Sequence, residues 1–184
     1  VRRKRWSGSG MGLEDWLDTQ GEEVGLAFAD VVRSTSLLFE ERTVRYADII
    51  RLYQDRALTR ARVYGGRVVD DSGDQILAVF PDAAAAFHFG CDLFADTGHP
   101  DLAIRVGVHV GSVRAERERL IGRNVHYCAR VMQHARDAEF WVSDAARRAI
   151  ESGAKRLAPE IVWIANDETE LKGIPGLHRL WRAA

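Results

Sequence analysis

The segment 65-GGRVVDDSGDQILAVF-80 organises the predicted fold of the chain. Its two ends are rich in apolar and β-branched residues, and 71-DSG-73 between them is typical of a tight turn, so we predict a β-hairpin. Three aspartates, Asp70, Asp71 and Asp74, crowd into this turn. Like charges at such short spacing repel one another, which indicates that the turn serves a purpose other than folding.

The composition bounds the class of protein. The chain has 184 residues, 46% of them hydrophobic and 29% charged, with a formal net charge of −1. These values suit one globular domain and favour neither nucleic acid nor membrane as a partner. Cys91 and Cys128 lie in apolar helical patterns and predict buried free thiols. Because we find no signal peptide and no apolar run of roughly 18 residues, we expect a cytoplasmic protein.

The pattern of apolar residues outside the hairpin predicts the other elements. We expect helices near 13–20, from 37 to 62, and over 83–96, 122–136 and 143–153, and strands over 24–32, 102–113 and 140–142. The charged run 114–119 predicts a solvated turn, and 160–164 and 170–181 predict strands around a Pro-Gly turn. The order β-α-β-β-α-β indicates an α+β domain with a ferredoxin-like core, extra C-terminal elements and a mostly antiparallel sheet flanked by helices.

The predicted domain covers residues 21–184. Residues 1–20 would form a flexible basic tail and a short N-terminal helix. The basic run 1-VRRKRW-6 is interpreted as a tail, with an arm that binds acidic partners as the alternative.

Two aspartates stand at the ends of strands that neighbour each other in a ferredoxin-like sheet. Asp30 ends the first predicted strand and Asp74 begins the third. Two adjacent carboxylates share a proton or bind a cation, and oxygen ligands near a helix N-terminus suit Mg²⁺ or Mn²⁺ together with phosphate. The alternative is that Asp30 caps a helix and Asp74 serves only the turn.

Five segments together resemble the catalytic domain of class III nucleotide cyclases, the family of adenylyl and guanylyl cyclases. In chain order they are 28-FADVVRST-35, 66-GRVVDDSGDQILAVF-80, 104-IRVGVHVGSV-113, 121-IGRNVHYCARV-131 and 171-LKGIPG-176. The resemblance implies an enzyme that converts a nucleoside triphosphate to a 3′,5′-cyclic monophosphate plus pyrophosphate. It also implies a head-to-tail homodimer in which both chains contribute to each active site.

The resemblance assigns the metal and phosphate sites to particular residues. Asp30 and Asp74, with the backbone of Val31, would bind two divalent cations, Mn²⁺ or Mg²⁺. The backbone from Val31 to Thr35 would contact phosphate at a helix start. Lys172 would contact the terminal phosphates, with a solvated turn lysine as the alternative.

The second copy of the chain would contribute residues of the helix predicted over 122–136. Arg130 matches the arginine that stabilises charge on the α-phosphoryl group in the transition state. His126 stands where the family usually has an asparagine. It would hydrogen-bond the ribose or pack in a modified pocket.

The residues that would recognise the base depart from the family pattern. Adenylyl cyclases carry a lysine at the position of Asp70 and an aspartate or threonine near Arg119, so the charges here are inverted. Asp70 requires an N–H and Arg119 a carbonyl, which uracil and guanine both offer, whereas adenine and cytosine leave polar groups unsatisfied. The local alignment leaves Arg117 or Glu118 as alternatives to Arg119.

The choice between UTP and GTP stays open, and we expect UTP. The short domain, without a receptor, membrane or regulatory module, is similar to the pyrimidine cyclases of bacterial anti-phage signalling, the Pycsar systems. There the cyclic nucleotide activates a separate effector protein. The alternatives are a guanylyl cyclase making cyclic GMP, an inactive pseudo-cyclase that binds nucleotide, and a phosphodiesterase-like or polymerase-like domain of similar topology.

Overall fold

A computed structural model describes residues 10–32, 43–153 and 161–183 of the chain. Its helices are α1 (Leu13–Asp18), α2 (Thr43–Val63), α3 (Ala83–Ala95), α4 (Arg123–His134) and α5 (Asp144–Ser152). Its first seven strands are β1 (Val24–Val31), β2 (Arg67–Asp70), β3 (Gln75–Phe80), β4 (Ile104–Gly111), β5 (Arg114–Glu116), β6 (Arg119–Ile121) and β7 (Phe140–Ser143). The remaining strands are β8 (Trp163–Ala165), β9 (Thr169–Leu171), β10 (Ile174–His178) and β11 (Leu180–Ala183).

Strand β1 is the structural centre of the main sheet. It pairs antiparallel with β3 on one side and with β4 on the other. The strand order is β2-β3-β1-β4-β7-β11-β8, and the pair β4–β7 is parallel. The arrangement β2-β3-β1-β4, with α2 and α3 as crossovers, confirms the predicted ferredoxin-like core. The strands β7, β11 and β8 extend the sheet as the expected C-terminal addition.

The residues of β1 alternate between two apolar layers. Ala27 and Ala29 belong to the larger core cluster, which also contains residues of α2, α3 and α5. Leu26 belongs to the opposite cluster with Leu13 of α1 and Cys128 of α4. The domain therefore has three layers, with α2, α3 and α5 on one face of the sheet and α1 and α4 on the other.

Helix α4 lies close against the sheet because β4 has a glycine beneath it. A Cβ atom at Gly107 would lie only 2.3 Å from the backbone nitrogen of Met132. Any larger side chain there would push α4 outward. The contact fixes the helix that carries His126 and Arg130.

The run 114-RAERER-119 forms a hairpin instead of the predicted solvated turn. Strands β5 and β6 pair around a turn at Arg117 and Glu118, whose φ angles are 51° and 63°. Left-handed backbone at two residues other than glycine is costly and persists where other contacts support it. Composition alone does not reveal such contacts, which is why the charged run predicted only a turn.

The C-terminal hairpin also differs from its prediction. Its turn is formed by Lys172 and Gly173, between β9 and β10. Pro175 and Gly176 lie inside β10, where the pairing register shifts between Ile174 and Leu177. A proline is compatible with a bulged strand of a two-stranded sheet, because it need not donate a ladder hydrogen bond there. No helix within the described ranges is long and apolar enough to cross a membrane.

A buried polar network joins β4 to α4. The side chain of His109 places Nδ1 2.8 Å from the hydroxyl of Ser143 and Nε2 3.3 Å from Oδ1 of Asn124. Its ring stacks on Tyr127 with a centroid distance of 4.3 Å. Burial lowers the pKa of His109 from 6.5 to about 4. The histidine is therefore neutral at physiological pH and serves as a hydrogen-bonding core residue.

This pKa predicts a loss of stability in mild acid. The unfolded chain takes up a proton at His109 before the folded protein does, so the stabilisation is complete above about pH 6.5 and is lost as the pH falls toward 4. Between about pH 7.5 and about pH 5 the loss should be roughly 2 kcal/mol. Urea unfolding of the protein and of His109→Gln at both pH values measures it. An equal loss in the two proteins would contradict the prediction.

Candidate active site

The carboxylates of Asp30 and Asp74 lie at the ends of two neighbouring strands. Asp30 stands opposite Gln75 in the β1–β3 register, and Asp74 immediately precedes Gln75. Paired residues of antiparallel strands have Cα atoms roughly 4.5–5.5 Å apart. Burial first, and then the charges of Asp30 and Asp74, raise the pKa of the Tyr53 hydroxyl well above its usual value. Both carboxylates therefore lie close enough to the buried Tyr53 hydroxyl to affect its pKa.

Helix α2 holds the turn between β2 and β3. The side-chain amide of Gln54 donates hydrogen bonds to the carbonyl oxygens of Asp71 and Gly73, both at 2.8 Å. These bonds fix the loop that ends in Asp74 and begins at Asp70. Sequence analysis missed Gln54, because a glutamine within a helix gives no signal until the position of the turn is known.

A second residue missed from the sequence, Arg105, binds Asp30 directly. Asp30 is only 5% exposed. Nε and Nη2 of Arg105 lie 3.0 and 2.5 Å from Oδ2 of Asp30. The two residues are also cross-strand partners in β1 and β4. Both contacts use one oxygen, so Oδ1 of Asp30 has no hydrogen bond from the residues that the structure describes.

The donor set at this end of the sheet fits a hard divalent cation. Asp30 and Asp74 supply carboxylate oxygens, which Mg²⁺ and Mn²⁺ prefer. In the described ranges, no three His, Cys, Asp or Glu residues form a group that could hold a metal. A cation bound here would therefore complete its coordination with water, backbone carbonyls such as that of Val31, or phosphate oxygens. The predicted phosphate contact Thr35 lies outside the described residues.

The residues predicted to recognise the nucleoside line one cavity of about 900 Å³. Asp70 reaches it from β2, Arg119 from β6 and His126 from α4. Phe28 and Leu77 contribute apolar surface to the same cavity. A cavity that combines a carboxylate, a guanidinium and an apolar floor suits a planar ligand with polar edges.

The polar residues around the cavity differ in their contacts. Oδ1 of Asp70 accepts hydrogen bonds from the backbone nitrogen of Ser72, at 3.1 Å, and from the Ser72 hydroxyl, which orients the carboxylate. Arg119 and His126 are exposed, and neither side chain bonds to another described residue. The alternatives Arg117 and Glu118 also line the cavity.

Two predicted phosphate contacts lie away from this cavity within one chain. Arg130 is half-buried on α4, one helical turn beyond His126, and donates to Oε1 of Gln133. Lys172 is exposed at the tip of the β9–β10 hairpin, beside a separate cavity formed by residues 170–177. A single chain therefore does not bring all the predicted site residues together.

Comparison with known proteins gives matches among solved structures, whereas neither a protein-family model nor a curated protein matches the sequence. The adenylyl cyclase CyaB from P. aeruginosa is 19% identical, with a TM-score of 0.73 over 88% of this chain and 93% of that chain. The guanylate cyclase domain of RhGC from Catenaria anguillulae, in complex with GTP, is 21% identical, with a TM-score of 0.72 over 89% and 96%. A dimeric guanylyl cyclase domain of the RhoGC fusion protein from Blastocladiella emersonii is 20% identical, with a TM-score of 0.74 over 89% and 96%.

The chain has the fold of a nucleotide cyclase catalytic domain. The structural likeness extends over nearly nine-tenths of the chain and over almost the whole of the neighbours. It agrees with the class III resemblance of the five sequence segments. At these identities the likeness concerns the fold alone.

The Asp30–Arg105 pair of this cyclase fold makes a testable contribution to stability. Arg105→Met should lower the free energy of unfolding by roughly 2–3 kcal/mol, because it leaves the buried Asp30 carboxylate unpaired. Adding Asp30→Asn should recover part of that loss. Urea unfolding of both single variants and the double variant, in a chelating buffer, measures the coupling.

Arg114→Met is the matched control, since Arg114 is exposed and has no partner among the described residues. A coupling energy below about 0.5 kcal/mol would show that Asp30 and Arg105 act independently.

Proposed function

We propose that the chain is a class III nucleotide cyclase, which converts a nucleoside triphosphate to a 3′,5′-cyclic monophosphate and pyrophosphate. The 3′-oxygen bonds to the α-phosphorus, the bond from that phosphorus to pyrophosphate breaks, and the hydroxyl proton leaves. The observation that carries the proposal is the grouping of Asp70, Arg119 and His126 around one cavity of a cyclase fold. The paired carboxylates of Asp30 and Asp74 support it.

Asp30 and Asp74, with the backbone of Val31, would hold two divalent cations, Mg²⁺ or Mn²⁺. When bound, these cations supply the charge that lowers the pKa of the 3′-hydroxyl and binds the triphosphate. Arg105 keeps the Asp30 carboxylate in one orientation and leaves its second oxygen for this use. Gln54, through its two hydrogen bonds, holds the turn that carries Asp74 in one position.

The complete site would need two copies of the chain. The cavity residues and Arg130 would come from the same protomer. Arg130 lies one turn of α4 beyond His126, so it would reach the α-phosphate with His126 at the ribose. Asp30 and Asp74 of the second protomer would face them. In this arrangement Arg130 stabilises charge on the α-phosphoryl group, Lys172 contacts the terminal phosphates, and the backbone near Thr35 contacts phosphate.

The charges around the cavity favour UTP and GTP over ATP and CTP. Asp70, oriented by Ser72, would accept a hydrogen bond from N3–H of uracil, and Arg119 would donate to O4. Adenine and cytosine place an acceptor against Asp70, which leaves buried groups unsatisfied at a cost of roughly 1–3 kcal/mol. Guanine satisfies the same two residues through N1–H and O6. Cyclic GMP is therefore the alternative product, since a cavity of about 900 Å³ can hold a purine.

The biological role we propose follows from the product. Cyclic UMP would be a second messenger of bacterial anti-phage defence, and a separate effector protein would bind it. This part of the proposal rests on the resemblance to pyrimidine cyclases. The residues around the cavity are consistent with uracil and equally with guanine, so the choice of UTP over GTP also rests on that resemblance.

The product assay tests the proposed reaction. The purified protein is incubated with Mn²⁺ and each of ATP, GTP, CTP and UTP, and cyclic monophosphates are identified by mass spectrometry. We expect cyclic UMP, with Asp30→Asn as the inactive control. Cyclic AMP would overturn the roles of Asp70 and Arg119, and the absence of any product would overturn catalysis in favour of a nucleotide-binding pseudo-cyclase.

A mixing experiment tests the shared site. Asp30→Ala and Arg130→Ala should each lower turnover on the order of 10²-fold or more. Arg130→Ala removes a group that stabilises charge in the transition state, and Asp30→Ala removes a ligand of the cations. Mixed in equal amounts, they should regain part of the wild-type activity, since one site of each heterodimer then holds both residues. Co-purification of an untagged Arg130→Ala protomer with a tagged Asp30→Ala protomer checks that subunits exchange. If activity does not return although heterodimers form, the two residues do not belong to opposite subunits.

A further inference from the structure

The N-terminal segment, residues 10–18, borders the cavity that contains Asp70 and Arg119. Four consecutive residues of this segment, 10–13, line the cavity wall. They belong to the part of the sequence predicted to be a tail and a short helix. The structure instead places them beside the residues assigned to base recognition.

Buried Arg67 ties the N-terminal segment to the strand that carries Asp70. Nη1 of Arg67 donates to the carbonyl oxygens of Met11 and Gly12, at 3.0 and 2.8 Å. Arg67 is 4% exposed, and its guanidinium carbon lies 5.4 Å from the centroid of the Trp16 ring. A buried guanidinium that satisfies two carbonyl groups fixes the course of the backbone between them.

The segment is tied to the β5–β6 hairpin by two reciprocal hydrogen bonds. The backbone nitrogen of Leu13 donates to Oε1 of Glu118 at 3.0 Å, and the backbone nitrogen of Arg117 donates to Oε1 of Glu14 at 3.0 Å. Among the described residues other than glycine, Arg117 and Glu118 are the two with left-handed backbone. These bonds supply the outside support that such a turn requires. Arg119 is the next residue along the chain.

Apolar packing holds the segment in place. Leu13 is 1% exposed and belongs to the core cluster that contains Leu77 and Leu120. Trp16 and Leu17 pack against the same cluster. Because burial of such side chains stabilises the folded protein, the segment cannot leave the domain without the loss of core contacts.

We infer that the N-terminal segment is part of the nucleobase site and determines its selectivity. It closes one side of the cavity, and through Glu14 and Glu118 it fixes the hairpin that presents Arg119 to the carbonyl of the base. This inference deepens the proposed function and rests on it for the identity of the ligand. Loosening the segment should weaken base binding without affecting triphosphate binding through the cations that Asp30 and Asp74 would hold.

Hydrogen–deuterium exchange of the full chain tests the position of the segment. With Mn²⁺ present, the α,β-methylene analogue of UTP or GTP should slow exchange in residues 10–14 and 117–119, whereas inorganic tripolyphosphate should not. Such protection supports the inference even if no cyclic product is ever formed. Protection confined to the β2–β3 turn, or protection nowhere in the chain, would overturn it.

Glu118→Asn tests selectivity, because asparagine tolerates left-handed backbone but is too short to keep the bond to Leu13. Its affinity for the preferred nucleotide analogue should fall roughly three- to tenfold, as expected for the loss of one partly exposed hydrogen bond, with tripolyphosphate affinity unchanged. Glu22→Gln, at an exposed carboxylate with no hydrogen bond or ion pair to a described residue, should leave both unchanged. Equal losses for nucleotide and tripolyphosphate, or no loss for either, would contradict the selectivity role.

Discussion

The pairing register of β1 is the constraint on which the rest of the site depends. One residue of this strand, Asp30, stands opposite Gln75 of β3 and opposite Arg105 of β4. The same register places Asp74 next to a buried carboxylate on one side and supplies a guanidinium on the other. A slip of one residue would turn Asp30 toward the opposite apolar layer and separate the two acids. The sheet thereby brings together a charge arrangement that no single segment could stabilise.

The two faces of the sheet have different roles, one in stability and the other in ligand contact. The layer of α2, α3 and α5 contains most of the apolar core. Gln54 of α2 also bonds to the acidic turn. The opposite layer holds α4, the small hairpin and the N-terminal segment around the cavity. Two of its polar side chains, Arg119 and His126, reach that cavity without partners among the described residues. Polar side chains that are not paired within the protein and lie on a rigid scaffold are available to contact a ligand.

The hydrophobic pattern predicted most of the fold because the strands and helices of the core are long and regularly apolar. It failed where contacts distant in sequence decide the structure. Arg117 and Glu118 adopt a hairpin turn because Leu13 and Glu14, about a hundred residues earlier, bind them. For the same reason the pairing of Arg105 with Asp30 and the role of Gln54 became visible only with the strands in place. The candidate residues themselves came from motif resemblance, and their roles stay predictions.

A crystal structure with Mn²⁺ and the α,β-methylene analogue of UTP would be the most direct test of an active site shared by two protomers. Anomalous scattering would locate the manganese. We expect Mn²⁺ bound by Asp30 and Asp74 of one protomer. We also expect the uracil ring between Asp70 and Arg119 of the other, with Arg130 near the α-phosphate. Manganese bound away from Asp30 and Asp74, or a nucleotide whose contacts all come from one protomer, would contradict it.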